Sequence, residues 1–402
     1  MTGKRNFPAQ RLTPARTGGE TGGDVGGIIM QDATPLAATT AGMRAWLVSR
    51  ALPLWLEHGV DRPAGAFVEQ LQHGDYRCDA PFRRLRVAAR QTWVFAQGHQ
   101  AGIPGADAAV ALGIDFLDRH ASLPGGGYAR LFDLANRPID TMLDLYDHAF
   151  VLLALAGAAA VLPAARLRER ALALEAFIGD AFVHPLGGYL ESLPPALPRR
   201  QNPHMHLLEA LLAAHAAFGD PVFLARARVL AELFLARLYD PVTGALPEFF
   251  DDALQPLRSE NGFSVEPGHH CEWVWLLHQY AAVTGPDANL ARAAGGLMAF
   301  VDRHGLHPAT LDVIGGVDST GAAPVLGTRL WPQTEMLKAA CVRTDDTEAG
   351  RNKAAARLAA WLLPDGLWHE RRNAAGVPVP GPVPASSLYH LVGAIQTASG
   401  VG

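Results

Sequence analysis

The sequence predicts an all-α protein whose helices form six hairpins closed into a ring, an (α/α)6 barrel. Three observations predict this fold: a short glycine segment recurs six times, helical apolar spacing fills the stretches between the copies, and the last predicted helix is as apolar as the middle ones. A fixed repeat length indicates one supersecondary unit used many times. Although 402 residues suffice for two or three average domains, the repeat predicts a single one.

The repeated segment consists of glycine followed by aromatic or aliphatic residues. The steps between successive copies are 61, 61, 57, 71 and 51 residues, so units of about 60 residues account for most of the chain. The segments are too short for the strands of a full sheet and predict tight turns and short β-arms. The six copies are Gly65–Glu69, Gly126–Arg130, Gly187–Glu191, Gly244–Glu248, Gly315–Asp318 and Gly366–Glu370.

Two helices are predicted for each unit, one on either side of the glycine segment. Apolar residues at positions i, i+3 and i+4 in alanine-rich and leucine-rich stretches give this signal. The twelve predicted helices cover residues 39–58, 83–103, 105–120, 142–161, 164–183, 203–218, 220–238, 267–284, 286–304, 331–343, 346–363 and 385–398.

Six helical hairpins can stack as an open solenoid or close into a ring. An open array needs polar capping repeats at both ends, whereas the last predicted helix is apolar throughout Leu388–Val392 apart from His390. Closure is therefore expected, with the second, more apolar helix of each hairpin on the inside. An ordinary multi-layer helical protein is the alternative.

Composition excludes several classes of protein. Hydrophobic residues make up 49% of the chain and charged residues 18%, which provides a large core and argues against disorder. A net charge of −5 argues against a nucleic-acid partner. No run of 18 apolar residues exists, so no membrane span is expected. A small molecule remains as the expected partner, and the oligomeric state cannot be read from the sequence.

The three cysteines and the first residues bear on location and domain limits. Cys78, Cys271 and Cys341 are far apart and fit neither a disulfide framework nor a metal knuckle, so a reducing, cytoplasmic setting is predicted. Residues 1–35 are predicted to be a disordered leader, and 36–402 a single catalytic domain. A start at Met30 or Met43 and an export signal are the alternatives for the leader.

Polar and aromatic residues cluster in the first turns of the predicted inner helices. If these helices run parallel, their N-termini meet at one mouth of the ring and form a small-molecule pocket. Helix N-termini add N–H donors and a positive field that favours an anionic oxygen, such as that of an enediolate. The clusters are Arg90–Trp93, Tyr146–His148, Asn202–His206, Glu266–Glu272, Trp331–Glu335 and Ser386–His390.

Each of these residues also has a purely structural interpretation. A single histidine near a helix start commonly caps or crosslinks, Glu209 and Glu272 fit capping-box partners, and the tryptophans fit the core. The recurrence of histidine or glutamate in five of the six units favours a functional site instead.

The motifs resemble those of the N-acylglucosamine 2-epimerase superfamily, particularly its aldose–ketose isomerase branch. The resemblance spans residues 40–398 in the same order and implies an (α/α)6 barrel without a cofactor or metal. Its members epimerise sugars at C2 or isomerise mannose-type aldoses, as between D-mannose and D-fructose. The segments that carry it are Ala89–Phe95, Asn202–Ala210, Gly268–Trp273, Trp331–Glu335 and Tyr389–His390.

The resemblance implies a catalytic trio of His206, His269 and His390, assisted by Arg90. His204, His270 and His369 lie outside its pattern. The residues that we expect to bind the substrate are Asn202, Glu272, Trp331, Glu335, Tyr146 and Trp93.

The expected reaction moves a proton between C2 and C1 of a sugar through a cis-enediol. Histidine suits this chemistry because its pKa lies near working pH. His390 and His269 are expected to be the acid–base pair, and His206 to assist ring opening. Arg90 would stabilise the enediolate, and Glu272 would orient His269 and raise its basicity.

Four alternatives remain open from the sequence. A sugar 2-epimerase would use the same histidines. A metal-dependent isomerase would bind a divalent ion through His206 and Glu209 and through His269 and Glu272. A glycoside hydrolase or lyase would need two carboxylates, such as Glu272 and Glu335. A non-enzymatic scaffold would present an extended concave face.

The sequence favours a free sugar over a phosphorylated or sulfonated one. A phosphate site usually contains several basic residues or a glycine-rich nest, and no such cluster adjoins the motifs. Arg83, Arg84 and Arg86, which precede Arg90, point the other way.

Overall fold

Long helices alternate with short arms in the computed structural model, which describes residues 39–260, 262–322, 324–343 and 347–400. The predicted leader, residues 1–35, lies outside the described residues. The helices are α1 Thr40–Trp46, α2 Leu52–His58, α3 Leu85–Gln100, α4 Ala106–Phe116, α5 Leu145–Ala158, α6 Ala164–Ala181, α7 Gln201–Phe218, α8 Pro221–Leu233, α9 Pro267–Thr284, α10 Ala288–His304, α11 Leu330–Val342, α12 Glu348–Ala359 and α13 Ala385–Ala398.

Short π-helical segments occur in three outer helices of the described chain. Leu47–Ala51 joins α1 to α2 just before Pro53, whose missing N–H cannot continue an α-helical ladder. Leu117–Ala121 and Phe234–Leu238 extend α4 and α8. With α1 and α2 counted as one rod, the described residues contain twelve helical rods at the twelve predicted places.

The strands are two to four residues long and pair antiparallel. The sequence assigned residues 83–84 and 143–144 to helices, which is wrong because both pairs are strands that hydrogen-bond to an arm. The strands are β1 Val60–Asp61, β2 Ala66–Phe67, β3 Gln70–Leu71, β4 Arg83–Arg84, β5 Leu131–Phe132, β6 Pro138–Asp140, β7 Leu143–Asp144, β8 Ser192–Leu193, β9 Arg199–Arg200, β10 Phe249–Phe250, β11 Arg258–Ser259, β12 Gly262–Val265, β13 Val317–Asp318, β14 Thr328–Arg329, β15 Arg371–Arg372 and β16 Val383–Pro384.

The helices close into a ring. The inner helices α3, α5, α7, α9, α11 and α13 pack each against the next, and α13 packs back against α3. Each of α4, α6, α8, α10 and α12 covers the inner helix that precedes it, and α1 covers α13. The predicted (α/α)6 barrel is therefore confirmed.

Strand pairing follows the same cycle. The strand just before an inner helix pairs with the arm of the next unit, as β4 does with β5 and β14 with β15. β16, which precedes the last inner helix, pairs with β3 in the first unit, where Val383 lies opposite Leu71. The arms thus join the ends of the described chain and fix where each inner helix begins.

The inner helices are apolar on nearly every side, which is typical of fully enclosed helices. In α5, every residue from Asp147 to Ala156 is buried. None of the described helices combines the length and apolarity that crossing a membrane requires.

Three buried histidines join the arms to the inner helices. Each lies four residues after the N-cap residue of its helix and directs one ring nitrogen to an arm N–H and the other to a main-chain carbonyl. Burial lowers the pKa of all three to about 4, so they are neutral near pH 7. The bonds to Nε2 are Tyr128 N to His148 at 3.1 Å, Tyr189 N to His204 at 3.0 Å and Leu246 N to His270 at 2.9 Å.

Replacement of His204 by alanine is expected to lower the free energy of unfolding by about 1–3 kcal/mol, because the buried N–H of Tyr189 loses its acceptor. Urea unfolding followed by circular dichroism measures this change. His99→Ala, at an exposed position near the end of α3, is the control and should change stability by less than about 0.5 kcal/mol. Equal stability of the two variants would show that the histidine contributes no crosslink.

Candidate active site

The inner helices place one side chain each at the same depth, six residues after the N-cap residue. Contacts connect these side chains into a layer: the Arg90 guanidinium carbon lies 4.1 Å from the Phe150 ring centroid, and that ring lies 4.6 Å from the His206 ring. We call this set the functional layer. Its members are Arg90, Phe150, His206, Glu272, Glu335 and His390.

A cavity of about 400 Å³ lies at the N-terminal ends of the inner helices. All six inner helices contribute to it, so their first turns meet at one mouth, as the sequence predicts. The cavity contains eight of the ten predicted site residues, all except Glu335 and Trp93. Its lining consists of Arg84, Arg90, Tyr146, Asn202, His206, Glu266, His269, Glu272, Arg329, Trp331, Glu370, Arg371, Pro384, Ser386, Ser387 and His390.

Each of the three predicted catalytic histidines is held by a glutamate. In each ring Nδ1 lies at hydrogen-bond distance from the carboxylate, so the Nδ1–H donates to it and Nε2 is left for another partner. The distances from Nδ1 are 3.0 Å from His206 to Glu209, 2.9 Å from His269 to Glu248 and 2.8 Å from His390 to Glu335.

The three imidazoles differ in their pKa. Burial lowers the pKa of His206 and of His390 to about 4, with the Arg90 guanidinium adding to the effect, so both rings are neutral near pH 7. Burial also lowers the pKa of His269, but the Glu248 carboxylate outweighs it and raises the value to about 9. The cavity therefore holds two neutral imidazoles and one imidazolium.

Asn202 and Trp331 lie against the rings of the predicted catalytic histidines His269 and His390. Nδ2 of the Asn202 amide lies 2.9 Å from Nε2 of His269. In this orientation the amide nitrogen donates to a neutral Nε2, whereas a protonated His269 requires the amide turned over so that its oxygen accepts. The Trp331 ring lies 4.9 Å from the His269 ring and 5.7 Å from the His390 ring. Gly268 leaves room for this indole, since a Cβ atom there would come within 2.6 Å of it.

Arg90 is buried among aromatic rings with its guanidinium directed to the cavity. It donates a hydrogen bond of 2.6 Å to the Tyr146 hydroxyl, and its carbon lies 5.0 Å from the Tyr389 ring centroid. The ring of Tyr146 in turn meets the ring of His206 edge to face, with centroids 5.0 Å apart. A fixed cation beside neutral imidazoles suits stabilisation of a developing oxyanion.

Trp93, which the sequence predicts to bind the substrate, does not line the cavity. Trp93 lies nine residues after the N-cap residue Arg84, almost one turn below the functional layer. Its indole packs against the Tyr389 ring at 5.2 Å and fills the space opposite Gly157. It is therefore part of the core beneath the cavity.

The roles expected for Glu272 and Glu335 also need correction. Glu272 lies 3.9 Å from Nδ1 of His206 and does not hydrogen-bond to His269, whose Nδ1 is occupied by Glu248. Burial and the nearby Glu335 raise the pKa of Glu272 well above its usual value. Glu335 lies behind His390 and does not line the cavity, so it contacts the imidazole and not a sugar.

Glu248, which the sequence analysis missed as a site residue, lies on a repeated arm. Glutamates at matching places, Glu69 and Glu191, each bind the backbone N–H and the side chain of an arginine at an inner-helix N-cap. Glu248 binds the matching N–H of Glu266 at 3.2 Å. Because that N-cap residue is not an arginine, the carboxylate is available to His269.

Three arginines line the mouth of the cavity, although the sequence analysis identified no basic cluster near the motifs. Arg84 forms an ion pair with Glu69 at 2.6 Å, and Arg329 forms one with Glu266 at 2.8 Å. Arg371 lies opposite Arg329 across the β14–β15 pair. The mouth therefore presents three guanidinium groups, two of them paired with a carboxylate.

Two overlapping sets of buried side chains could hold a divalent ion: His206 with Glu209 and Glu272, and His390 with Glu272 and Glu335. In each set the imidazole Nδ1 lies at hydrogen-bond distance from a carboxylate of the same set, Glu209 for His206 and Glu335 for His390. A proton shared between the two groups explains this short distance as well as a metal ion would. The pairing expected for a metal site between His269 and Glu272 does not form. A chelation experiment separates the two interpretations.

Comparison with known proteins places the chain in a family. The family model described as N-acylglucosamine 2-epimerase matches residues 65–394. The chain is 39% identical over 371 residues to a mannose-6-phosphate isomerase of Rhizobium meliloti, a match that covers 88% of this chain and 95% of that one. It is 32% identical over 377 residues to a D-mannose isomerase of Thermobifida fusca, covering 85% and 90%.

The fold resembles that of solved structures of the same kind. A crystal structure of D-mannose isomerase superimposes with a TM-score of 0.81 at 21% identity, and covers 92% of this chain and 100% of the other. A sugar epimerase from a ruminal bacterium superimposes with a TM-score of 0.79 at 17% identity, covering 90% and 99%. At these identities the likeness concerns the fold alone.

Proposed function

The chain belongs to the N-acylglucosamine 2-epimerase family, and we propose that it isomerises a mannose-type aldose to the matching ketose by histidine-mediated proton transfer between C2 and C1. As an aldose–ketose isomerase it belongs to the isomerase class of enzymes. One observation carries the proposed mechanism: a neutral and a protonated imidazole, His390 and His269, share one cavity and contact the same indole.

The first half of the reaction removes a proton from carbon. Nε2 of His390 takes the C2 proton, the C–H electron pair forms the C1–C2 double bond, and the carbonyl oxygen O1 accepts the Nε2 proton of His269. The product is a cis-enediol, with a protonated His390 and a neutral His269. General acid–base pairs of this kind contribute roughly 10²–10⁴-fold each to the rate.

The second half reverses these roles at the neighbouring carbon. Protonated His390 delivers its proton to C1 while His269 takes the O2 proton, and a C2 carbonyl forms. Both imidazoles return to their initial protonation states, so the cycle needs no redox partner. The Arg90 guanidinium stabilises the oxyanion character of both transition states.

Other residues bind and open the sugar. The neutral His206 ring hydrogen-bonds to substrate hydroxyls and assists ring opening, with Tyr146 against its edge. Trp331 presents an indole face that suits the apolar face of a sugar. Glu272 lines the cavity and presents its carboxyl group to the substrate. Residues 36–402 are taken as one catalytic domain that needs no cofactor.

We propose D-mannose as the substrate. The mannose configuration is common to the names of the two relatives. Two of the three arginines at the mouth are neutralised by carboxylates, which supports an uncharged sugar over a phosphate.

Proton NMR of the purified protein with D-mannose or with D-mannose 6-phosphate tests this proposal, before and after dialysis against EDTA. Fructose is expected from mannose, at a rate that EDTA leaves unchanged. Glucose as the only product would indicate a 2-epimerase, and product from the phosphate alone would correct the substrate. Activity lost on chelation and restored by added metal would favour a metal-dependent isomerase. No product from either sugar would overturn the proposal.

A further inference from the structure

A buried lysine lies below the functional layer and takes no part in the mechanism above. Lys338 is 2% exposed and lies nine residues after the N-cap residue of α11, almost one turn deeper than Glu335. Its ammonium group lies 2.8 Å from Oε2 of Glu335 and 3.7 Å from the centroid of the Trp275 ring. A lysine is seldom enclosed in this way unless a partner compensates its charge.

The Glu335 carboxylate bridges this lysine and the proposed base. One oxygen faces the ammonium group of Lys338, and the other lies 2.8 Å from Nδ1 of His390. An ionised carboxylate accepts the Nδ1–H and keeps Nε2 unprotonated, whereas a protonated carboxyl group could donate to Nδ1 and move the ring proton to Nε2. The charge state of Glu335 therefore decides whether Nε2 of His390 is a base.

We propose that Lys338 is a positioning residue that keeps Glu335 ionised and thereby fixes His390 as the tautomer with a basic Nε2. This inference rests on the proposed isomerase function, in which His390 removes the carbon proton. Lys338 does not line the cavity, so it acts on the reaction through the buried groups around it, and chiefly through Glu335, which it contacts.

The charges around the site balance only when the lysine is present. Arg90 and Lys338 supply two positive charges and the Glu209 and Glu335 carboxylates two negative ones, while burial and the nearby Glu335 raise the pKa of Glu272 well above its usual value. Without the lysine one negative charge is uncompensated, and a proton is taken up at His390 or Glu335. The titratable and charged groups that face this region are Arg90 from α3, His206 and Glu209 from α7, Glu272 from α9, Glu335 and Lys338 from α11, and Tyr389 and His390 from α13.

The pKa values of the partners follow this balance. Burial alone would raise the pKa of Glu335, but Lys338 and His390 lower it to about 2. Burial lowers the pKa of His390, and both Arg90 and Lys338 add to that effect. Loss of the lysine raises both values, so the acidic limb of the activity profile moves to higher pH.

Lys338→Met is the direct test, with Lys338→Arg as the conservative variant. For K338M we expect kcat to fall by roughly 10–100-fold and KM to change little. The acidic limb of the kcat/KM profile should move to higher pH by about one unit or more. K338R should recover most of the lost kcat and the wild-type acidic limb. Wild-type kcat and an unchanged acidic limb in folded K338M would overturn the proposal.

A readout independent of turnover separates this proposal from the function on which it rests. The ring nitrogens of His390, assigned in ¹H–¹⁵N NMR spectra through His390→Gln, report its tautomer and its titration. Even if no sugar is converted, K338M should raise the pKa of His390. Identical His390 titration in wild type and K338M would reject the role of Lys338.

A double-mutant cycle covers the case in which K338M does not fold. Removal of both charges in E335Q/K338M avoids the unpaired carboxylate that makes the single variant unstable. Because Lys338 acts through Glu335, the double variant should have a kcat within about threefold of that of E335Q alone. A further loss of tenfold or more would assign Lys338 a separate role and overturn the proposal.

Discussion

Replacement of His390 by glutamine is expected to lower kcat by roughly 10²–10⁴-fold with little change in KM, because the variant lacks the group that we propose as the base for the C2 proton. The side chain lies in the cavity, and glutamine retains a group that can meet the Glu335 carboxylate. Fructose formation from D-mannose, followed by proton NMR, measures the loss.

His204→Gln is the matched control for this variant. His204 is 1% exposed and His390 7%, so both replacements are made in the interior, but His204 binds only main-chain groups. The control should be less stable than the wild type. Its folded molecules should have a kcat within about twofold of the wild-type value, since a crosslink remote from the reacting atoms takes no part in proton transfer. Comparable kcat losses in the two variants would contradict the assignment of His390 as the base.

Replacement of Glu248 by glutamine is expected to lower kcat near pH 7 by roughly 100-fold, because it removes the charge that keeps His269 protonated. The pKa of His269 is about 9, so the acid form is present below that pH and is lost above it. In the variant only the weaker interactions with Glu266 and Glu272 oppose burial, so the pKa of His269 falls. The pH profile of kcat/KM should lose its alkaline limb near 9 and decline at a lower pH than that of the wild type.

Glu191→Gln tests whether this effect belongs to His269 or to the arms in general. Glu191 occupies the matching place on another arm, but its carboxylate accepts hydrogen bonds from Arg200. The donors are the Arg200 backbone N–H, at 3.0 Å, and the Arg200 guanidinium. The control should be less stable than wild type and retain the alkaline limb near 9. An unchanged alkaline limb in E248Q would show that Glu248 does not set the protonation of His269.

The helices could be predicted because they are long, strongly periodic and repeated. The sequence placed twelve helices where the described residues have twelve rods, and ring closure followed from the apolar last helix. The errors lie at the helix starts, where Arg83–Arg84 and Leu143–Asp144 are strands. Those pairs bond to an arm more than forty residues away, and local spacing does not contain that partner.

The candidate site was predictable as far as it depends on helix starts. His206, His269 and His390 lie in the first two turns of three helices, so a shared mouth brings them together. Trp93 belongs to the same cluster as Arg90 but lies three residues deeper along α3, and the clustering alone does not show which of its members reach the cavity.

The partner of His269 could not be predicted from local spacing. A glutamate three residues further along a helix lies on the same face, which made Glu272 the natural choice. Glu248, 21 residues before His269, reaches the ring from an arm instead. The repeated glutamates Glu69, Glu191 and Glu248 were the available signal, since they occupy one place in their arms.

The common depth of the functional layer determines where the chain tolerates insertions and deletions. One residue added within the first six of an inner helix turns every later side chain by about 100°, which would rotate a layer member into the wall of the barrel. The arms are fixed where their strands pair, where the buried histidines bind their N–H groups and at their glutamates, but the turns between these positions carry no such constraint. The repeat length already ranges from 51 to 71 residues. Length variation should therefore accumulate in the arms, while the spacing from N-cap to layer stays at six residues in every hairpin.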